Sequence, residues 1–102
     1  MEQQSILVIE DHDEMRDNIC ELLELSNYKV HDAPNGKEGV NKAIAVVPDL
    51  IICDIMMPEL DGYEVLYMLS RNPATAAIPF VFLSAKAEKQ DFRKGMDLGA
   101  DD

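Results

Sequence analysis

Three carboxylates follow two apolar stretches of the sequence, and together they could hold a divalent cation. Glu10 and Asp11 come directly after SILVI, and Asp54 follows LIIC with no basic residue near it in sequence. Mg²⁺ prefers one or two carboxylates, several waters and a phosphate oxygen. A carboxylate beside such an ion can attack phosphorus and form an aspartyl phosphate. We interpret Glu10 and Asp11 as suited to holding the metal, and Asp54, which stands alone after its apolar stretch, as the nucleophile.

The apolar pattern predicts strands and helices that alternate along the chain and position these acids. Strands are predicted from continuous or alternating apolar runs, and helices from apolar residues that recur every three or four positions. The predicted strands are 5–9, 28–31, 49–53 and 78–83; the predicted helices are Asp13 to about Ser26, Asn35 to just before Pro48, one that begins at the turn Asp61–Gly62, and about 88–98. The three acids therefore lie at the ends of the first and third strands.

The first predicted helix has a candidate cap and a candidate buried face. Asp13 can accept hydrogen bonds from the amides of the first turn. Apolar residues at spacings of four, seven and eight predict one face packed on the sheet, formed by Met15, Ile19, Leu22 and Leu23.

Alternating strands and helices are typical of right-handed βαβ units around a parallel sheet that is covered on both faces. Continuous apolar strands are central in such a sheet, whereas an alternating strand such as YKVH at 28–31 lies at an edge. We therefore predict an α/β fold with a doubly wound parallel sheet in the strand order 2-1-3-4. The order reverses between strands 1 and 3, and ligands bind at such a reversal. The three carboxylates are thus predicted to converge on one crevice.

Helix capping is the alternative role for these acids. It explains Asp11 or Asp13, taken alone, as well as metal binding does. It does not explain Asp54, because Pro58 and a loop separate Asp54 from the next predicted helix. Ser84 follows the fourth predicted strand at the same rim, so its hydroxyl could donate a hydrogen bond to an anion bound there.

The fourth predicted strand has the sequence of an interior strand, although the order 2-1-3-4 puts it at an edge. We therefore expect a fifth strand and a fifth helix that these 102 residues do not contain, so that the single domain over 1–102 is incomplete at its C-terminus. A bare apolar edge of this kind can pair with another chain, as a dimer or by strand exchange.

Four stretches of the sequence resemble the receiver domain of response regulators in two-component signalling. They are ILVIEDHDEMR, PDLIICDIMMPELDGYEVL, IPFVFLSA and GADD, in that order and over the whole chain. The most specific part is D-x-x-M-P-x-x-D-G from Asp54, combined with the acid pair at Glu10. The resemblance implies a flavodoxin-like three-layer sandwich whose complete sheet has five strands in the order 2-1-3-4-5.

The resemblance also implies a role for each site residue. The residue that matches Asp54 is phosphorylated by a histidine kinase. The residues that match Asp11 and Asp54, and the backbone carbonyl at Met56, bind Mg²⁺ directly. The residue that matches Glu10 takes part through water. The residue that matches Ser84 hydrogen-bonds the phosphoryl group and moves on activation.

One departure from the family concerns its fifth strand. The family has a lysine at the end of that strand that contacts the phosphoryl oxygens, and an aromatic switch residue on the strand; neither has a match in these 102 residues. Lys86, two residues after Ser84, is not that lysine. We therefore expect this chain to bind Mg²⁺ but to be impaired in phosphotransfer.

Composition excludes several other classes of protein. The chain has 20 acidic and 9 basic residues and a net charge of −11, so we expect no nucleic-acid binding by this domain. No apolar run approaches the roughly 20 residues that span a membrane. The N-terminus is not a signal peptide, and Cys20 and Cys53 lack a metal or redox spacing, which favours reduced thiols in a cytoplasmic protein.

We predict a phosphoacceptor domain that takes its phosphoryl group from a sensor histidine kinase or phosphotransfer protein, and not an enzyme. A receiver-like module that binds partners without phosphorylation is the alternative. A metal-dependent phosphatase would need a second Asp two residues after Asp54, where Met56 stands. An EF-hand that begins at Asp11 fails at Met15 and Arg16.

Overall fold

The structure, a computed structural model, describes residues 3–83 of the chain, and strands and helices alternate over this part as predicted. The elements are β1 (Ser5–Ile9), α1 (Asp13–Leu25), β2 (Lys29–Ala33), α2 (Gly36–Val46), β3 (Leu50–Asp54), α3 (Gly62–Ser70) and β4 (Phe80–Leu83). The predicted fourth helix and Ser84 lie outside the described residues.

All three strand pairings are parallel, and the strand order is β2-β1-β3-β4. This order confirms the prediction and places the reversal between β1 and β3. Along that pairing Ile9 lies opposite Cys53, so the two strands end at the same level. The proposed pairing of β4 with a second chain, and the predicted fifth strand, stay predictions.

The main core lies between the sheet and the helices α2 and α3. Side chains on alternate strand positions point to this face and are almost fully buried. They are Leu7, Ile9, Ile51, Cys53 and Phe80, packed with Val40, Ala43, Val65, Leu66 and Leu69 from the helices. The helix α2 comes so close to β1 that a Cβ atom on Gly39 would lie 2.5 Å from Ile9 Cδ1. The helix α2 therefore packs directly on the central strand that leads to Glu10 and Asp11.

The opposite face of the sheet is covered by α1, which contacts β1 and β2. Arg16, Ile19, Cys20 and Leu23, at the spacing of one helix face, are half-buried. Leu22 is 65% exposed and Met15 47% exposed, so half of the predicted buried face is wrong. These two residues are seven positions apart and lie on the flank of the helix, beside the row that meets the sheet.

Two of the three helices in the described residues are capped by the residue at which the sequence predicted their start. Asn35 accepts a hydrogen bond from the Glu38 amide at 2.8 Å, and Asp61 forms a reciprocal capping box with Glu64. The predicted cap Asp13 is wrong, because Asp13 is the first helical residue and His12 occupies the cap position without a side-chain hydrogen bond. The carboxylate of Asp13 is engaged by Arg16 instead, at 2.7 Å.

The two cysteines are both free; Cys20 is half-buried and Cys53 is buried. Within residues 3–83, no helix is long and apolar enough to cross a membrane.

The end of α2 carries a strained backbone that predicts a stabilising substitution. Val47 has φ 43° and ψ 70°, a left-handed conformation that costs a β-branched residue about 1–2 kcal/mol. The side chain is 48% exposed, so its replacement removes little packing. Val47→Asn should raise the free energy of unfolding by about 1 kcal/mol, because Asn tolerates this conformation. Urea denaturation measures the change.

A matched control is Val46→Asn at the preceding position, which is helical and 37% exposed. This change should leave stability the same or lower it, because Asn is a poorer residue for a helix interior. Equal effects at 46 and 47 would contradict the assignment of strain to Val47.

Candidate functional site

The three carboxylates lie together at the carboxyl edge of the sheet. Glu10 and Asp11 follow β1 directly, and Asp54 is the last residue of β3. Because Ile9 and Cys53 are opposite each other, Glu10 and Asp54 leave the sheet at the same level. The charges of Glu10 and Asp11 both act on Asp54. The three acids thus lie at one edge of the sheet, with Asp54 within electrostatic reach of the other two.

Glu10 is a carboxylate in the interior of the protein, with a side chain only 1% exposed. Its Oε2 accepts a hydrogen bond from the His12 amide at 3.0 Å and lies 3.3 Å from His12 Nδ1. Its backbone amide donates to the carbonyl of Ala33 at the end of β2, at 3.2 Å. A buried carboxylate is costly unless it is hydrogen-bonded or paired with a cation, so Glu10 needs these contacts.

Asp11 has an unsatisfied oxygen that faces the same cluster. Its Oδ1 is buried and, among the described residues, has no hydrogen-bond partner, although it lies 3.4 Å from His12 Nδ1. One ligand atom each from Glu10, Asp11 and His12 lies within 4.8 Å of the others. Buried carboxylate oxygens without a donor are the hard ligands that Mg²⁺ prefers. The residues present therefore fit a Mg²⁺ ion.

The pKa of Asp54 is raised by its surroundings. Burial and the charges of Glu10 and Asp11 raise its pKa to about 6, while the Ile55 amide and His12 act in the opposite direction. The Ile55 amide donates to Asp54 Oδ1 at 2.9 Å. Near neutral pH this carboxylate is thus ionised but poorly stabilised, which suits a group that gains from a nearby cation.

The loop after Asp54 is closed back onto β3 by a glycine. The Gly62 amide donates to the Ile55 carbonyl at 2.8 Å, and a Cβ atom on Gly62 would lie 2.4 Å from the Asp54 carbonyl oxygen. Only glycine allows α3 to begin this close to the acid. Met56 lies within this loop with its side chain 71% exposed, whereas the side chain of Met57 is buried.

Comparison with known proteins identifies the family. The model of the response regulator receiver domain matches residues 6–102. This chain is a member of that family. The DNA-binding dual master transcriptional regulator RpaA of Synechocystis is 40% identical over 97 residues, which cover 95% of this chain and 40% of that protein. The phosphate regulon transcriptional regulatory protein PhoB of Escherichia coli is 36% identical over 95% of this chain and 42% of that protein. The receiver domain thus spans about 40% of the length of these relatives.

Solved structures agree with the fold of this receiver domain. The signal receiver domain of a signal transduction histidine kinase from Syntrophus aciditrophicus is 33% identical with a TM-score of 0.86, and the match covers 97% of this chain and 75% of that one. The chemotaxis protein CheY4 of Vibrio cholerae has a TM-score of 0.91 at 24% identity, covers 97% of this chain and 82% of its own, and supports the fold alone. The flavodoxin-like doubly wound sheet is therefore confirmed.

Two residues that contact the acidic cluster of this receiver domain were not predicted to do so. His12 is not among the predicted site residues; its side chain is 69% exposed, but Nδ1 lies 3.3 Å from Glu10 Oε2 and 3.4 Å from Asp11 Oδ1. Arg16 was considered only as a mismatch to an EF-hand, yet its guanidinium donates to the Glu10 carbonyl at 2.9 Å. The available sequence signal was their position, one and five residues after Asp11.

The raised pKa of Asp54 predicts a pH-dependent effect of Asp54→Asn on stability. An acid whose pKa is higher in the folded than in the unfolded state destabilises the fold when ionised, above about pH 6. That destabilisation disappears as the pH falls from about 6 towards the unfolded value of 3.8. In EDTA at pH 7.5, Asp54→Asn should therefore raise the free energy of unfolding by about 1 kcal/mol, after allowance for solvent screening.

Urea denaturation at pH 7.5 and pH 4.5 measures this difference, which should be largely lost at the lower pH. Asp17→Asn removes the same charge from an exposed position on α1 and serves as the control. A gain from Asp54→Asn that is equal at both pH values would contradict the raised pKa.

Proposed function

We propose that this receiver domain accepts a phosphoryl group on Asp54 from a phosphohistidine of a sensor histidine kinase or a phosphotransfer protein. The observation that carries the proposal is the setting of Asp54. It ends a central strand, its pKa is raised to about 6, and the charges of Glu10 and Asp11 act on it. Within residues 3–83, Asp11 has a buried oxygen without a hydrogen-bond donor. Membership of the family supports the same function.

The transfer forms one bond and breaks one bond. Asp54 Oδ1 accepts a hydrogen bond from the Ile55 amide, so we assign Oδ2 as the atom that attacks phosphorus. The bond from phosphorus to the imidazole nitrogen of the donor breaks, and its electron pair stays on that nitrogen. The products are an aspartyl phosphate and a free histidine on the donor. The Ile55 amide keeps the carboxylate oriented throughout this step.

Four groups of this chain would hold the Mg²⁺ ion. Following the family, Asp11, Asp54 and the backbone carbonyl of Met56 are proposed as direct ligands, and Glu10 as a ligand through water. A bound Mg²⁺ ion supplies positive charge against the oxygens of the transferring phosphoryl group. Ser84, which lies outside the described residues, is proposed to contact the phosphoryl group.

The proposed consequence of phosphorylation is a change in a partner-binding surface, with Ser84 as the sensing residue. The phosphoryl group can shift the equilibrium between two conformations of this surface only if it interacts more favourably with one conformation than with the other. The rival function, partner binding without phosphorylation, is not favoured, because the chain retains Glu10, Asp11 and Asp54 at one edge of the sheet. The family acts in signalling rather than as metabolic enzymes.

We further propose a cytoplasmic domain that does not bind nucleic acid directly. The net charge of −11 opposes contact with phosphate backbones, and the free thiols of Cys20 and Cys53 fit a reducing compartment. β4 lies at one edge of the described sheet, and pairing of that edge with a second copy is the proposed route to a dimer.

Mass spectrometry of the intact protein tests the phosphoacceptor. The chain, and a version extended through the fifth strand that the family implies, are incubated with Mg²⁺ and acetyl phosphate. We expect the mass of one phosphoryl group to be added, more slowly in the 102-residue chain, and to be lost in Asp54→Asn.

Asp61→Asn is the matched control, because Asp61 lies in the same motif and Asn retains the oxygen that caps α3. This variant should still be labelled. The absence of labelling in both lengths of the protein, or labelling that persists in Asp54→Asn, would contradict the proposal.

The metal assignment makes a separate prediction about stability. A cation that binds only the folded acidic cluster raises the melting temperature. With 10 mM MgCl₂ in place of EDTA we expect a rise of roughly 5 °C, which corresponds to about 1 kcal/mol in a domain of this size. Asp11→Asn should lose most of this rise in differential scanning fluorimetry.

Glu21→Gln, at an exposed position on α1, removes one negative charge away from the cluster and should retain the rise. An unchanged melting temperature of the unsubstituted protein in MgCl₂ would argue against the metal site. An equal rise in Asp11→Asn would argue against the role of Asp11.

A further inference from the structure

Arg16 holds the peptide group that precedes Asp11. Its Nη1 donates a hydrogen bond of 2.9 Å to the Glu10 carbonyl, and the side chain is only 13% exposed. The Glu10 carbonyl and the Asp11 amide belong to one planar peptide group. The hydrogen bond from Arg16 therefore restrains the orientation of the backbone from which the Asp11 carboxylate projects.

The guanidinium of Arg16 is itself fixed by two carboxylates on different elements. Nη2 donates to Asp13 Oδ1 at 2.7 Å in the first turn of α1, and Nε lies 3.4 Å from Asp32 Oδ2 on β2. A guanidinium is a rigid planar fork, so contacts at Nε and Nη2 fix the direction of Nη1. With the amide of Glu10 bound to Ala33, both polar groups of the Glu10 backbone are held.

We propose that Arg16 is a positioning residue for the cation site, which it serves through the direction of its hydrogen bond to Glu10. This proposal rests on the function proposed above. It also predicts the direction in which the affinity for Mg²⁺ changes when Arg16 is replaced. A positive charge near a cation site opposes the binding of Mg²⁺, so if the charge alone mattered, its removal would tighten binding. If Arg16 positions Asp11, its removal weakens binding, and Lys, which keeps the charge without the fork, does not restore it.

Isothermal titration of the full chain with MgCl₂ separates these outcomes. We expect Arg16→Met and Arg16→Lys each to raise the dissociation constant about tenfold, the effect typical of groups that orient a metal ligand. Arg71→Met changes the net charge by the same amount at the end of α3, where Arg71 lies over the ring of Tyr67, and should leave the constant within about twofold.

A second measurement distinguishes positioning from a general loss of stability. Titrations are made well below the melting temperature of each variant, where all the protein is folded. In labelling with acetyl phosphate, the Mg²⁺ concentration that gives half the maximal rate should rise about tenfold, while the rate at saturating Mg²⁺ stays within about twofold. A purely structural role would leave the half-maximal concentration of the folded protein unchanged.

Three results would overturn the inference: Mg²⁺ binding that is unchanged in Arg16→Met, binding that is tighter in this variant, or wild-type affinity in Arg16→Lys. If Arg16→Met does not fold, Arg16→Lys decides alone. These failures are distinct from a failure of the proposed function. In that case the unsubstituted protein itself would neither bind Mg²⁺ nor be labelled at Asp54.

Discussion

The parallel pairing of β1 with β3 is the constraint on which the site depends. It places Ile9 opposite Cys53, so the next residues, Glu10 and Asp54, leave the sheet at the same level although both are acidic. Three carboxylates are thereby placed at the same edge of the sheet, at the reversal of the strand order. Their mutual repulsion is a cost that the core beneath them must offset, because neither strand can withdraw without breaking its ladder.

The three acids differ in the hydrogen bonds that offset this repulsion. Glu10, the most buried acid, is satisfied by the His12 amide and has its carbonyl bound by Arg16. Asp54 receives one amide hydrogen bond and carries the raised pKa. Asp11 keeps an oxygen without a donor among the described residues. Glu10, whose carboxylate is already hydrogen-bonded, is thus the acid proposed to act through water. Asp54, with one amide hydrogen bond, and Asp11, with a donor-free oxygen among the described residues, are the proposed direct carboxylate ligands.

The elements and their order could be predicted from the sequence because burial follows the period of each element. Asn35 and Asp61 were predictable as the starts of helices, since a cap is a local contact between neighbouring residues. Asp13 was not, because its partner Arg16 competes for the same carboxylate. Leu22 has the correct spacing for a buried residue, but periodicity gives the apolar side of a helix and not the line along which the sheet meets it. The hydrogen bond from Arg16 ends on a backbone carbonyl, which every residue has, so no side-chain pattern marks it.

The raised pKa of Asp54 and the predicted cation site have one physical origin. Burial beside Glu10 and Asp11 destabilises the ionised form of Asp54. The same concentration of negative charge is what attracts a divalent cation, and a bound cation favours ionisation of every carboxylate around it. Asp54, the proposed nucleophile, would therefore be most fully ionised with a cation bound. A carboxylate placed on the surface, with an ordinary pKa, would not couple its ionisation to the cation in this way. The repulsion among these acids, which opposes folding, is thus what would make the ionisation of Asp54 depend on the proposed cation.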